Sequence, residues 1–400
     1  MVDEHGRAVR PVLVFLALAM GGFAIGTTEF ATMSLLPYFS RGLGVDAPTA
    51  GHVISAYALG VVVGAPLLAT LSARLARRTL LLLLMTMFAL ANGLSALAPT
   101  YGSMLVFRFL SGLPHGAYFG VAALVAASLV PPERRTFAVS RVMLGLTVAT
   151  VVGVPLANWI GQALGWRWGF GIVAVLGLAT VLLLALFAPR DRVEPGASPL
   201  RELGALKLPQ VWLTLGIGAI GFGGLFAVYA YLASTLMEVT GVAPSIVPLV
   251  LCAFGLGMTA SNLVVPRFAD RGLMPTAGGL LLWSAAALAL FPYAAQNIWT
   301  ASLDVFLIGI GGALGTVLQT RLMDVARDAQ SLAAALNHSA FNTANALGPW
   351  LGGLAIAGGY GWTSTGWVGC ALALGGLAVW GITVIMSRTA EPEPVFAPAE

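Results

Sequence analysis

The sequence predicts an all-α membrane protein whose twelve transmembrane helices form two six-helix pseudo-repeats. Three observations lead to this prediction: the composition, a series of apolar runs of membrane length, and features that recur in both halves of the chain. Of the 400 residues, 58% are hydrophobic and 9% are charged, and the mean hydropathy is +0.90. Soluble domains carry about 25% charged residues, so this chain cannot cover a water-facing globule. Its outer surface must face lipid.

Twelve apolar runs supply the predicted spans, and each can cross a hydrocarbon core of about 30 Å as a helix. They cover residues 11–38, 50–72, 79–98, 103–130, 137–163, 168–188, 210–237, 245–266, 275–295, 298–320, 332–357 and 363–386. Strands of a membrane barrel would alternate polar and apolar residues in pieces of about ten, which these runs do not. The first run is too long for the apolar part of a signal peptide, so we expect it to remain as span 1.

Basic residues support this count, because short cytoplasmic loops collect Lys and Arg. Of the 20 basic residues, 17 fall in the N-terminal segment, in the loops after the even-numbered spans, or in the C-terminal tail. The opposite side holds only Arg41 and Arg167, and Arg108 lies inside span 4. This alternation predicts that both termini are cytoplasmic.

Two motifs recur at nearly the same offset and predict a duplicated fold. The basic turn SARLARR, with Arg74, precedes ADRGLMP, with Arg271, by 197 residues. The element GVPLANWIG, with Pro155, precedes LGPWLGG, with Pro349, by 194 residues. We therefore predict an N-terminal bundle over residues 1–188, a polar cytoplasmic linker over 189–209, a C-terminal bundle over 210–388 and a cytoplasmic tail over 389–400. Such halves are typical of alternating-access transporters.

Glu29 lies well past the midpoint of span 1. A charge at the bilayer centre costs about 2.5 to 3.5 kcal/mol on insertion scales, so such a residue needs a partner or a wet cavity. Burial favours a protonated carboxyl and a bound cation favours an ionised one. Glu29 is therefore predicted to take up protons or cations in exchange for substrate. The alternative is a carboxyl held by Thr27, Thr28 or a neighbouring helix for packing alone.

Span 4 carries a polar and aromatic stripe. Arg108, Gly112, His115 and Phe119 follow one another at helical spacing and so share one face. This face is predicted to line the cavity, with Arg108 in proton coupling and His115 and Phe119 in substrate binding. Two structural alternatives stay open: Arg108 could clamp backbone carbonyls, and His115 could serve only as a contact between helices.

Further candidates lie in spans 7, 10 and 11. Phe222, Phe226 and Tyr229 share a face of span 7 and are predicted to line the substrate cavity, with a lipid-facing stripe as the alternative. Asp304, near the start of span 10, is expected at the outer interface, with a role in coupling as the alternative. His338 shares a stripe of span 11 with two asparagines, for which hydrogen bonding between helices is expected.

Glycine is abundant, at 49 of 400 residues, against about 7% in an average protein. Gly145, Gly153 and Gly161, with Pro155 among them, give span 5 a small face and a kink, so we predict a role in gating and helix packing. Static bundles also use such faces.

Several function classes are excluded or disfavoured. Cys252 and Cys370 stand alone without metal-ligand or redox spacing, and no HExxH motif occurs, so neither a metal nor another cofactor is expected. The single lysine, Lys207, follows no glycine-rich loop, which excludes ATP-driven transport by this chain. The basic residues form no stripe suited to nucleic acid. We expect a transporter powered by an ion gradient and no enzyme.

These features resemble the major facilitator superfamily over essentially the full chain, and within it the twelve-span drug:H+ antiporters of the chloramphenicol-resistance and arabinose-efflux-permease type. The similar segments are GTTEFATMSLLP, RFLSGLPHGAYFG and GVPLANWIGQALGWRWGF. The resemblance implies that Glu29 is the acidic residue of helix 1, that Arg108 is the arginine of the helix 4 motif, and that Gly153, Pro155 and Gly161 form an exporter motif. It also implies a cavity lined by helices 1, 4, 7 and 10.

One departure from the family concerns the loop after span 2. The family motif reads G-x-L-a-D-R-x-G-R-R, whereas residues 69–78 read ATLSARLARR, with Ala73 in place of the acid. In the family this acid helps to latch the cytoplasmic side, so the first half has lost its latch acid although it keeps Arg74. Asp270 and Arg271 retain the acid and base in the second half. We assign these three residues to gating.

The leading functional prediction is proton-coupled efflux of small, partly lipophilic compounds, as in multidrug resistance, by a monomeric antiporter in a bacterial inner membrane. Export of sugars or nucleosides is the alternative; it would require more hydrogen-bonding side chains than the candidate stripes offer. Uptake by symport is also open, because direction depends on affinities in two states. A receptor or structural membrane protein would need neither the repeat nor the buried acid.

Overall fold

The computed structural model describes residues 10–45, 47–191, 199–243, 246–326 and 329–389. Within these ranges the chain forms helices and turns and no strand. The long helices, numbered α1 to α12, are α1 (Pro11–Leu43), α2 (Ala47–Leu71), α3 (Arg77–Ala96), α4 (Tyr101–Ser128), α5 (Arg135–Val148, Ala149–Gly153 and Val154–Leu164), α6 (Trp166–Phe187), α7 (Pro209–Gly221, Gly223–Tyr229 and Leu232–Glu238), α8 (Val247–Val264), α9 (Leu273–Ala294), α10 (Ile298–Ile310, Gly311–Ala313 and Leu314–Val325), α11 (Gln330–Ala355) and α12 (Ser364–Thr389). Each corresponds to one predicted span.

Helices α5, α7 and α10 are interrupted near their middles. The middle segment of α5, Ala149–Gly153, is a π-helical turn directly before Pro155, which has no N–H to donate to the helix. Helix α7 breaks at Phe222, in a glycine-rich stretch, and α10 tightens into a 3-10 turn at Gly311–Ala313. The predicted kink in span 5 is therefore present.

Eleven helices of the described chain are long and apolar enough to cross a membrane. The exception is α11, which has sufficient length but carries Asn337, His338 and Asn342. All three side chains are buried, because α11 packs against α2, α4, α7 and α12 inside the bundle. Its polar residues therefore lower its hydropathy without facing lipid.

The two halves meet through a few helices. Helix α11 of the second half packs on α2 and α4 of the first, and α5 packs on α8 and α10. We call the end of the bundle that carries Arg74, Arg134, Asp191 and Arg271 the linker face, and the other end the opposite face. The predicted fold class is confirmed, whereas the exact bundle boundaries and the cytoplasmic position of the linker face stay predictions. Of the basic residues used in that prediction, Arg7, Arg192 and Arg327 lie outside the described residues.

The small face of α5 packs directly against α1. A Cβ atom placed on each of the three glycines would collide with α1, and the contacts recur every eight residues along both helices. The pairs are Gly145 with the Ala19 carbonyl, Gly153 with the Thr27 hydroxyl, and Gly161 with the Leu35 side chain. Because both partners advance in the same direction, α1 and α5 run parallel in close contact. This contact fixes the segment of α1 that carries Glu29.

The second half repeats this arrangement between α7 and α11. A Cβ on Gly348 would meet the Gly223 carbonyl, and the Tyr231 hydroxyl donates a hydrogen bond of 2.8 Å to the Pro349 carbonyl. Pro349 thus lies in a helix contact equivalent to that of Pro155, as the sequence repeat predicts.

We expect Gly145→Ala to destabilise the protein by about 1–3 kcal/mol, because the added methyl group would overpack the backbone contact with α1. The matched control is Gly279→Ala in α9, where a Cβ would have nothing within 4 Å and better helix propensity should stabilise slightly. Thermal unfolding of both purified variants in one detergent tests this. A Gly145→Ala melting temperature equal to that of the control would contradict the packing assignment.

Candidate functional site

A small enclosed chamber of about 20 Å³ lies between the two halves, with room for about one water molecule. We call it the central chamber. Its polar lining consists of Glu29 from α1, His115 from α4, Thr147 from α5, Asn262 from α8, Thr316 from α10, and Asn337 and His338 from α11. The expectation of a cavity lined by helices 1, 4, 7 and 10 is thus only partly met here. Helix α7 is absent from this lining, and α5, α8 and α11 contribute because they form the contact between the halves.

The Glu29 carboxyl borders this chamber and is 3% exposed. Neither of its oxygens has a hydrogen-bond partner in the described part of the chain. The adjacent threonines bond elsewhere: the Thr27 hydroxyl donates to the Phe23 carbonyl at 2.7 Å and the Thr28 hydroxyl donates to Asn92 at 2.8 Å. The packing alternative, in which a threonine holds the carboxyl, is therefore not what this structure contains.

Arg108 lies beside this site and is 1% exposed. Its Nη1 donates to the Thr28 hydroxyl at 2.9 Å, and its guanidinium carbon lies 4.4 Å from the centre of the Tyr57 ring and 5.4 Å from that of Phe170. The cation is thus held by one hydroxyl and two aromatic faces, not by the backbone carbonyls of the structural alternative. It is close enough to Glu29 to interact with it electrostatically.

A chain of polar contacts connects four helices of the first half. The Thr28 hydroxyl accepts from Arg108 and donates to Asn92, which joins α1, α3 and α4. Tyr57 of α2 continues the chain, because its ring lies under Arg108 and its hydroxyl is 3.0 Å from Nδ1 of His115. This series of polar contacts ends at the central chamber, where Glu29 and His115 both contribute to the lining.

Two histidines and a phenylalanine join α4 of the first half to α11 of the second. The His115 and His338 ring centres are 5.2 Å apart, and His338 stacks on Phe119 with centres at 4.3 Å and an angle of 10°. Nε2 of His338 is buried and has no partner among the described residues. His115 therefore serves as a helix contact through Tyr57 and also lines the chamber, and its binding of substrate stays a prediction.

A larger cavity of about 710 Å³ lies between α2 and α11, toward the opposite face; we call it the α2–α11 cleft. Phe226 and Tyr229 line it, together with apolar residues of α2 and with Asn342, Thr343 and Asn345 of α11. Phe222 lines neither cavity. Its ring packs on Phe341 at 4.3 Å and on Phe226 at 5.8 Å. The prediction that Phe222 faces substrate is thus not supported by its position, because its ring packs against the Phe341 and Phe226 rings and borders neither cavity.

Two further residues, Asp304 and Asn342, bear on the sequence expectations. Asp304 is 4% exposed, with neither oxygen partnered in the described chain, so its carboxyl is buried within the bundle, and its depth in the membrane stays a prediction. It lies on the face of α10 that packs inside the bundle. Asn342 donates to the carbonyl of His338 in its own helix at 3.0 Å, so it does not form the expected bond between helices.

On the linker face, Asp270 connects the two halves. Its Oδ1 accepts a hydrogen bond of 3.1 Å from the backbone N–H of Thr136, in the first turn of α5. Nearby, Arg135 and Asp324 form an ion pair at 3.5 Å, each 38% exposed. The side chain of Arg74 is exposed, and Arg271 lines a groove on the outside of the bundle. Asp270 thus contacts the other half directly, whereas the geometry gives no such contact for the side chains of Arg74 and Arg271.

Sequence analysis did not identify several residues of the site. Tyr57, Asn92, Asn262, Thr316 and Asn337 complete the polar chain or the chamber. Asn92 and Asn262 give a usable signal, because an amide in the middle of an apolar span needs a partner. Indeed, Asn262 Oδ1 accepts from the Thr316 hydroxyl at 2.6 Å.

We expect Thr28→Val to destabilise the fold by about 1–3 kcal/mol, because it removes the acceptor of Arg108 and the donor to Asn92 while keeping the shape. Thr32→Val is the matched control, since the equally buried Thr32 hydroxyl bonds only to the Thr28 carbonyl of its own helix. Thermal unfolding compares the two. Equal losses would show that the Thr28 hydroxyl has no special role.

Comparison with known proteins adds independent support for the fold. A family profile described as Major Facilitator Superfamily matches residues 18–277 and 212–399. The inner membrane transport protein YdhP of Escherichia coli K12 is 40% identical over 383 residues, which cover 95% of this chain and 97% of YdhP. A chloramphenicol resistance protein of Streptomyces lividans is 35% identical, covering 85% of this chain and 88% of its own. A probable sugar efflux transporter of Helicobacter pylori is 31% identical, covering 87% and 89%.

A solved structure agrees with these relatives at the level of the fold. The proton:xylose symporter XylE matches with a TM-score of 0.74 and 15% identity, covering 95% of each chain. The family profile spans nearly all of the sequence, and relatives well above 30% identity align over most of their length. The chain therefore belongs to the Major Facilitator Superfamily and is a multi-pass membrane transporter.

Proposed function

We propose that this transporter exports small, partly lipophilic compounds in exchange for protons, by alternating access. The observation that carries the proposal is the Glu29 carboxyl, which borders the chamber between the halves without a partner. An ionised carboxylate that is buried without a hydrogen bond is costly, and Arg108, whose Nη1 donates to Thr28, reduces this cost only through its charge. The site is therefore stable when a proton, or a cationic or hydrogen-bonding ligand, occupies it. A group that accepts either one suits an exchange of protons for cargo.

Arg108 would couple this exchange to the surrounding helices. Its guanidinium already interacts with α1 through Thr28 and with α2 through Tyr57. A change in the charge of Glu29 alters the attraction between the carboxyl and this cation, and the polar chain transmits the change to His115. Because His115 faces His338 across the two halves, the chain ends at the contact that must separate when the transporter changes state.

The two cavities suit cargo with both polar and apolar parts. The α2–α11 cleft presents aromatic and aliphatic side chains beside the amides of Asn342 and Asn345. The central chamber places Met143, Leu146, Met258 and Phe341 among its polar groups. An amphiphilic molecule of the kind named by the chloramphenicol resistance relative suits the mixture of groups in the cleft. The central chamber, with room for about one water molecule here, would have to widen to admit it.

A second candidate is export of sugars or nucleosides. The observation in its favour is the number of neutral hydrogen-bonding groups in the central chamber, with Thr147, Asn262, Thr316 and Asn337. The helix faces proposed from the sequence alone contained few neutral hydrogen-bonding groups. A relative named as a probable sugar efflux transporter supports the same candidate. The compound panel below separates the two.

We further propose that the protein works as a monomer in a bacterial inner membrane, with the linker face toward the cytoplasm. The excess of basic residues on that face supports the orientation, and YdhP is named as an inner membrane protein. The α2–α11 cleft would then lie toward the outside.

We expect Glu29→Gln to abolish transport driven by a pH gradient, because the amide keeps the shape but cannot exchange a proton. Purified protein in proteoliposomes, with an imposed gradient and a panel of phenicol-like compounds, sugars and nucleosides, provides the measurement. Glu238→Gln, an exposed acid at the end of α7, is the matched control. Exchange of cargo across the membrane without a pH gradient (counterflow) should persist in Glu29→Gln. This result would show that the variant is folded. Gradient-driven transport at the wild-type rate in Glu29→Gln would rule out the coupling role.

We expect Phe226→Leu to raise the KM for lipophilic cargo by up to about tenfold, because an aromatic contact contributes about 0.5–1.5 kcal/mol beyond the buried area. Phe222→Leu is the control, since this ring is equally buried but lines neither cavity. Concentration-dependent transport of one phenicol-like compound by both variants tests the assignment. An equal rise in KM for the two variants would mean that the cleft does not select cargo.

A further inference from the structure

The two halves close the linker face with different residues. In the second half, Asp270 accepts a hydrogen bond from the N–H of Thr136 at the start of α5. In the first half, the equivalent turn has Ala73 where an acid would be needed. The start of α11 corresponds to the start of α5 in the repeat, so its backbone N–H groups lack the acceptor that a symmetric molecule would provide.

A residue of the linker supplies that acceptor. Oε2 of Glu202, in the short helix Pro199–Leu203, accepts a hydrogen bond of 2.8 Å from the N–H of Leu332 in the first turn of α11. Leu332 follows Thr136 by 196 residues, which matches the repeat offset. A carboxylate at this position also complements the positive end of the helix dipole.

Glu202 occupies the place left by the missing acid. Ala73, Glu202 and Ser331 line one small cavity of about 50 Å³, and Arg77 at the start of α3 borders it as well. The carboxylate therefore lies between α11 of the second half and the basic turn of the first half. The short helix contacts both α2 and α11.

The linker also forms hydrogen bonds at Asp191, N-terminal to Glu202. Both oxygens of Asp191 accept from the backbone at the start of α3, with distances of 2.8 Å to the Arg77 N–H and 3.2 Å to the Arg78 N–H. At its other end, the Leu206 carbonyl accepts from the indole of Trp212 in α7 at 2.8 Å. The linker is thus attached to α3, α11 and α7.

We infer that the short helix Pro199–Leu203 of the linker is a strap that closes the linker face, with Glu202 replacing the acid absent at position 73. Opening this face requires α2 and α11 to separate, and the Glu202 contacts hold them together. Release of the strap would therefore favour the state in which the linker face is open and the α2–α11 cleft is closed. This inference rests on the alternating-access part of the proposed function but not on proton coupling or cargo.

The test measures how often the cleft is open. In a background with Cys252→Ala and Cys370→Ala, Ser55→Cys places a reporter in the cleft, where the side chain is exposed. A membrane-impermeant maleimide added on the opposite face should label it several-fold more slowly in Glu202→Ala. Asp270→Ala should act in the same direction, and Gln296→Cys, outside the cleft on the same face, should label equally in all variants.

Two further variants distinguish the strap from a general effect of charge. Glu133→Ala removes an exposed acid on the linker face and should leave labelling unchanged. Ala73→Asp, added to Glu202→Ala, should restore the labelling rate because it returns an acid to the same cavity. Unchanged labelling in Glu202→Ala, or an equal slowing in Glu133→Ala, would overturn the inference. Since labelling needs neither a pH gradient nor cargo, failure of proton-coupled export would leave this result intact.

Discussion

The burial of the Glu29 carboxyl without a partner is the constraint on which the site depends. The helix that carries it cannot move away from this position, because the small residues of α5 hold α1 along its length. The neighbouring hydroxyls cannot satisfy it either, because Thr27 and Thr28 are committed to Phe23 and Asn92. Burial of a carboxylate without a hydrogen bond is costly, and the Arg108 cation nearby offsets this cost only by its charge. The hydrogen-bonding capacity of the Glu29 oxygens therefore stays open to a proton or a ligand.

Glycine makes this arrangement possible in both halves. Gly145 and Gly348 bring backbone against backbone between α5 and α1 and between α11 and α7. Small residues allow this close approach of helices. The same contacts therefore hold α1 to α5 and α7 to α11 and fix the helices that carry the site within each half. The π-helical turn of α5 lies in the middle of this interface, beside Thr27.

Sequence analysis found the fold because lipid imposes composition, span length and loop charge on each segment separately. It found Glu29, Arg108 and His115 for the same reason, since a polar residue in an apolar span is visible without any partner. It could not find the link from Thr28 to Asn92, the stacking of Phe119 on His338, or the contact of Glu202 with α11. Each of these joins segments far apart in the chain, and helical periodicity carries no information about which faces meet. Phe222 was expected in a cavity because helical spacing places it on one face with Phe226, but the spacing does not reveal that the Phe341 ring of α11 packs against it.

The repeat supplies similar helices to both halves but not similar chemistry. Arg108 in α4 donates to a hydroxyl and lies over two rings, although its Nε has no partner among the described residues, whereas Asp304, 196 residues later in α10, is a buried acid without a partner in the described chain. The central chamber consequently has a charged side, formed by Glu29 near Arg108, and a neutral side, formed by Asn262 and Thr316. Under the proposed exchange, a proton would change the first side alone.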